Sequence, residues 1–191
     1  MYKDSILKKK IYFICFFILS FGVCFGEDYQ VIINSQNWED VYLGALFGTS
    51  KGYDYNYLGE GYNVTKFIEI LDKKKKIILI EDLNDKIEFG FSELLEGKGF
   101  LIEKKFNSNK EENNFDLYEY GDFSKIIFID EIDFSNVLST YAYAIKEDAF
   151  VIFLNEEIKK KDFNNNKIIN IGSDLSYSKF TFLNNLKVEK S

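Results

Sequence analysis

The chain contains no proline, no histidine and no arginine, and both of its cysteines, Cys15 and Cys24, fall near the N-terminus. Without histidine it lacks the commonest general base and the commonest zinc ligand. Beyond residue 26 no thiol remains, so disulfides, thiol catalysis and cysteine-held metals are excluded there. All 24 basic residues are lysine. These gaps, set beside abundant Ile, Lys, Asn, Phe and Tyr, read as nucleotide bias in the coding DNA, so an absent residue type reports the genome as well as the chemistry. Also missing are a nucleophile elbow, a G-x-x-x-x-G-K-[ST] phosphate loop and a compelling carboxylate dyad. Gly48-Thr49-Ser50-Lys51-Gly52 and Gly97-Lys98-Gly99 do not have the phosphate-loop spacing.

One long apolar run is present, at the start. Lys3 and Lys8-Lys9-Lys10 precede an apolar stretch from Ile11 to Val23, and Cys24-Phe25-Gly26 places small residues before Glu27. That is the layout of a cleaved secretory signal over residues 1–26. The alternative is an uncleaved anchor, but the 16 residues from Ile11 to Gly26 fall short of the roughly 20 that span a bilayer. The leader carries four lysines and one aspartate, so its removal takes the net charge from −7 to −10. Such acidity disfavours nucleic acid and anionic lipid as partners.

The remainder says nearly the same thing twice. Asn37-Trp38-Glu39-Asp40-Val41 through Leu58-Gly59-Glu60 is matched in phase, without a gap, by Asp133-Phe134-Ser135-Asn136-Val137 through Leu154-Asn155-Glu156. Each copy follows an apolar run, Val31-Ile32-Ile33 or Ile126-Ile127-Phe128-Ile129, and another run comes after the helix. A fixed period of this kind signals repeated supersecondary modules. The runs are continuous and not alternating, as strands buried on both faces are. Helix-length segments separate them: Val41, Ala45 and Gly48 fall at i, i+4, i+7, and Val137, Tyr141 and Ala144 repeat the spacing. Small residues on that stripe let a helix approach a sheet closely.

The pattern predicts an α/β protein with a doubly wound, mainly parallel sheet of Rossmann or flavodoxin type and an internal duplication. Strands are expected at 31–34, 54–58, 76–81, 99–105, 125–130, 149–154 and 167–171. Helices are expected at 38–50, 64–72, 87–96, 134–147, 157–162 and 175–185. The first module runs over 27–106, a turn-prone linker over 107–124, and the second module over 125–191.

Asn34, Asn37 and Asp40 in the first module, and Asp130, Asp133 and Asn136 in the second, gather where strands pass into helices. In open α/β sheets that edge receives ligands. These oxygen ligands suit a hard cation, but helix capping and surface acidity explain them more simply, so no metal is expected. Trp38 and Phe134 occupy matching first helical positions, where an aromatic either stacks on a sugar or staples the helix start. Ile126-Ile127-Phe128-Ile129-Asp130-Glu131 looks like a Walker B strand, a reading that fails without a phosphate loop. Gly172-Ser173-Asp174 resembles a short phosphate turn. Asn63-Val64-Thr65 is a complete glycosylation sequon.

The repeated block resembles the type 2 cell-wall-binding repeat of prokaryotic surface proteins, especially divergent versions in archaeal surface-layer-like proteins. The residues that carry the resemblance are Asn37-Trp38-x-Asp40-Val41 with Gly44-Ala45-Leu46 and Gly52-Tyr53, and Phe134-x-Asn136-x-Leu138-Ser139-x-Tyr141-Ala142-Tyr143-Ala144. Gly97-Lys98-Gly99-Phe100-Leu101-Ile102-Glu103 and Ile171-Gly172-Ser173 add to it. The resemblance implies a Rossmann-like module and a non-catalytic, cofactor-free role in attaching proteins to the envelope. The better-known members grip an anionic wall polymer with three modules, whereas this chain has two and is acidic; Lys73-Lys74-Lys75-Lys76 and Lys159-Lys160-Lys161 are its local basic runs. The expectation is a secreted cell-surface protein that binds an envelope polymer or a surface-layer protein, or pairs with its own kind. The alternative is an extracellular carbohydrate-active or nucleotide-sugar-using enzyme on the same scaffold, which needs two carboxylates about 5–10 Å apart across a cleft.

Overall fold

A computed structural model describes residues 28–108, 115–129, 134–153, 167–171 and 188–190. The chain divides between Lys110 and Glu111 into two compact units, and each contains its own four-stranded sheet. Among the described residues no helix is long and apolar enough to cross a membrane.

The first unit runs β1 (Tyr29–Asn34), α1 (Trp38–Lys51), β2 (Asp54–Tyr57), α2 (Val64–Glu69), β3 (Lys76–Asp82), α3 (Phe91–Gly97) and β4 (Ile102–Ser108). Its strands lie in the order β2-β1-β3-β4, all parallel. Ile32 lies beside Leu79 and Ile33 beside Ile80, and successive side chains point to opposite faces. Ile33 and Ile80 meet α1. Ile32, Ile77 and Leu79 pack instead with Phe67, Ile68 and Leu71 at α2 and with Phe91 and Leu95 of α3. Helices therefore cover both faces, which is why the strands are apolar throughout.

The approach of α1 depends on the absence of a side chain at Gly44. A Cβ built there would lie 2.7 Å from Ile33 Cδ1 and 3.0 Å from Ile80 Cδ1. Asn37 caps the helix by accepting from the Glu39 N–H at 3.1 Å, and Gly52 ends it in the left-handed region at φ 72°.

The second unit runs α4 (Phe115–Gly121), β5 (Lys125–Ile129), α5 (Phe134–Glu147), β6 (Ala149–Phe153), β7 (Lys167–Ile171) and β8 (Val188–Lys190). Its strands also pair in parallel, in the order β6-β5-β7-β8, so first, second, third and fourth strands take the same places in both sheets. The first crossovers match in length as well. Gln30 pairs with Asp54 and Lys125 with Ala149, 24 residues on in each case, and both crossover helices have 14 residues. Val137, Tyr141 and Ala144 are buried, as their spacing predicts. Tyr118, Phe123 and Phe150 form an aromatic cluster that seats α4 against β6, and Lys125 pairs with Glu147.

Several boundaries differ from those predicted. The helix expected from residue 87 begins at Phe91, because the N–H groups of Ile87 and Glu88 are bonded to Asn34 and Gly90 takes φ 71°. The strand expected at 99–105 runs over 102–108, after Gly99 turns the chain at φ 85°. The interval expected to be a linker holds the end of β4 and all of α4. Buried Leu117 and Tyr118 anchor that helix, and the polar run before it obscures so short an apolar stripe. The expected single sheet system is two sheets. Residues 1–26, the helices expected at 157–162 and 175–185, Asp130-Glu131 and Gly172-Ser173-Asp174 lie outside the described residues.

Candidate binding edge of the first sheet

In the order β2-β1-β3-β4 the chain leaves β1 toward one side and β3 toward the other, so the switch point lies between these two strands. A crevice normally opens there, at the C-terminal ends of the strands. Here the loop after β1 and the loop of residues 83–90 after β3 are tied together. Asn34 Nδ2 donates to Glu88 O at 2.8 Å, and its Oδ1 accepts from the N–H groups of Ile87 at 3.1 Å and Glu88 at 2.9 Å. Gln36 N–H donates to Asp85 O at 2.8 Å. Four bonds thus lace the switch point closed.

Two polar networks lie beneath, one on each face of the sheet. On the face of α2 and α3, Glu81 is 1% exposed and takes Asn34 Nδ2 at 2.9 Å, Lys105 Nζ at 2.6 Å and Lys86 Nζ at 3.2 Å. Burial pushes the Glu81 carboxyl up, but the bonds from Lys105, Asn34 and Lys86 outweigh it and hold the pKa below the ordinary glutamate value. Lys105 also reaches Ser92 Oγ, which donates to Glu93.

On the face of α1, Asp40 is 1% exposed and its Oδ2 accepts from Ser35 Oγ and Ser108 Oγ, each at 2.6 Å. Those serines end or follow the strands on either side of β3. Asp82, which ends β3, is aligned with Ser108 and is 0% exposed. Its Oδ1 accepts from the N–H groups of Asn84 at 2.7 Å and Asp85 at 3.0 Å, shaping the turn that starts the loop. Among the described residues Asp82 Oδ2 is buried without a hydrogen-bond donor.

The loop so fixed packs Ile87 against the core and presents Leu83 and Phe89 outward, 46% and 74% exposed. At the other end of the sheet the lysine run is drawn into local contacts. Lys75 pairs with Asp54, Lys76 with Glu103, and Lys73 bonds Lys98 O.

Of the residues singled out from the sequence, Asn34, Asn37, Trp38 and Asp40 do converge on this edge. Neither Asn34 nor Asp40 is exposed at the edge: the Asn34 amide is committed to the loop and to Glu81, and Asp40 Oδ2 to two serines. Asn37 is the cap and Trp38 is half-buried. Asn63 is exposed and caps α2 through Lys66 N–H, so its sequon stands on the surface. Asp130 and Asp133 lie outside the described residues, as do the side chains of Phe134 and Asn136. Sequence reasoning passed over Ser35, Glu81, Asp82, Phe89, Lys105 and Ser108. A signal for two of them exists: Ile77–Ile80 closes on Glu81-Asp82 just as Ile126–Ile129 closes on Asp130-Glu131.

The chain matches no known protein-family model, no curated protein and no solved structure.

Proposed function

We propose that this protein is a secreted, non-catalytic component of the cell envelope that binds or assembles through the C-terminal edge of its first sheet. The observation that carries the reading is the laced switch point. A crevice able to admit a substrate requires the two loops to part, and here Asn34 and Gln36 join them. Asp40, Glu81 and Asp82, the acids nearest the ends of the central strands, are buried, and the part-exposed Glu39, Asp85 and Glu88 stand on the rim. What such an edge offers a partner is a rigid rim bearing Leu83 and Phe89. Its contacts are shallow, and shallow contacts gain strength by repetition on a lattice. The leader supports export, and the duplicated modules with their resemblance to a cell-wall-binding repeat support the envelope as the destination. The partner is then a surface-layer protein or a second copy of the chain, in preference to an anionic polymer that the acidic surface repels.

The test is retention on isolated envelopes of the source organism as salt rises to about 1 M, where the Debye length is roughly 3 Å. Apolar attachment through the rim persists at high salt, and Phe89→Ser with Leu83→Ser abolishes it. Release in step with salt, with binding restored by purified wall polymer alone, overturns the rim reading. So does full retention of the double variant.

A further inference from the structure

We propose that the first unit holds a hard divalent cation, Ca²⁺ or Mg²⁺, beneath the rim between Asp82 and Asp40. The inference begins with Asp82 Oδ2, a carboxylate oxygen in a fully buried side chain that no hydrogen-bond donor reaches among the described residues. Leaving such an oxygen bare is costly, because burial removes the water that would otherwise satisfy it. Its partner oxygen Oδ1 takes the backbone N–H groups of Asn84 and Asp85, which fixes the orientation of the carboxyl group. The bare oxygen therefore calls for positive charge.

The surroundings are built from oxygen. Asp82 ends β3, while Ser35 and Ser108 stand at the ends of the flanking strands β1 and β4 on the same face. Both hydroxyls donate to Asp40 Oδ2 at 2.6 Å, so the two serine oxygens are at most 5.2 Å apart and lean inward over the strand between them. Asp40, in the first turn of α1, is thereby held over the end of β3. Asp82 pairs in register with Ser108, whose hydroxyl meets Ser35 on Asp40, so two carboxylates and two hydroxyls share this face at the strand ends, each side chain more than nine-tenths buried. Donation to Asp40 leaves lone pairs on Ser108 Oγ for a metal, and one on Ser35 Oγ, which also accepts from the Asn37 N–H at 3.0 Å. The lysines of the edge that pair with a carboxylate, Lys86 and Lys105, are bound to Glu81 on the opposite face.

The donor set selects the kind of ion. Carboxylate and hydroxyl oxygens suit Ca²⁺ and Mg²⁺, whereas zinc and copper favour nitrogen and sulfur. Among the described residues no cluster of three or more Asp, Glu, His or Cys ligands occurs, so the two serine hydroxyls join the two carboxylates in the shell. Bound there, the ion ties β1, β3, β4 and α1 together under the loop that displays Phe89. The site does not depend on what the rim binds.

The experiment is thermal unfolding of the full chain in chelator and in millimolar CaCl₂ or MgCl₂, alongside Asp82→Asn and Ser108→Ala. An ion that binds only the folded state, at a hundred times its Kd, raises Tm by about 5 to 10 °C. The expected result is a rise of this size in the wild type, its loss in Asp82→Asn, and a smaller rise in Ser108→Ala. Asp82→Asn keeps an oxygen to accept from the N–H groups of Asn84 and Asp85, so the turn after β3, and with it folding in chelator, is preserved. No shift with either cation overturns the proposal, and so does a shift that survives Asp82→Asn.

Discussion

Replacing Asn34 by Asp tests the lacing of the switch point with almost no change in shape. The new side chain keeps an oxygen to accept from Ile87 and Glu88 but loses the amide that donates to Glu81 at 2.9 Å and to Glu88 O at 2.8 Å. A bond to a buried carboxylate contributes about 2 kcal/mol and one to a neutral carbonyl about 1. Their loss alone therefore costs about 3 kcal/mol at pH 7, and a second carboxylate against Glu81 adds repulsion. The assay is urea unfolding followed by the fluorescence of Trp38, the single tryptophan, which lies in α1 of the same unit. At an m-value of about 2 kcal/mol/M the midpoint falls by roughly 1.5 M. The pH dependence supplies a second readout. Two adjacent carboxylates hold the upper pKa of the pair above its unfolded value, so the penalty is present at high pH and fades as pH falls through that pKa. The variant regains stability between pH 7 and pH 5. Over that range the Glu81 contribution in the wild type is constant, because the folded pKa of Glu81 lies below 4.5. A loss under about 1 kcal/mol, or identical pH profiles, refutes the argument that Asn34 laces the loops.

Gly44→Ala destabilises the first unit by about 1–2 kcal/mol, since contact with Ile33 at 2.7 Å outweighs the helix propensity gained, while Gly97→Ala, which meets nothing within 4 Å, is neutral or stabilising by up to about 1 kcal/mol; equal shifts in urea midpoint contradict this. Glu81 stabilises the fold above its unfolded pKa and loses that contribution as pH falls through its lower folded pKa, so the Trp38-reported midpoint drops below pH 4.5 and Glu81→Gln flattens the drop. A variant as acid-sensitive as the wild type places the acid response elsewhere. N-terminal sequencing of secreted protein is expected to begin near Glu27, and recovery of the intact leader from membranes marks an anchored protein.

Much of the architecture follows from one-dimensional pattern. Continuous apolar runs separated by helix-length segments determine a parallel α/β sheet, because only strands covered on both faces read that way. The matched phase of residues 37–60 and 133–156 determines that the first crossover is built twice, and the equal 24-residue register of β1 with β2 and β5 with β6 is its consequence. The small residues of α1 announce close approach to the sheet, and Gly44 against Ile33 is where it happens. The candidate edge was legible only as a location. That Asn34 would lace a loop more than fifty residues away, that Ser35 and Ser108 would meet on Asp40, and that Asp82 would end with a bare buried oxygen depend on β1 being brought beside β3, 47 residues on, and β3 beside β4, about 26 residues on. Local propensity decides where a strand stops, but the partner of a polar atom at that stop is decided by strand order, and strand order is a property of the packed sheet.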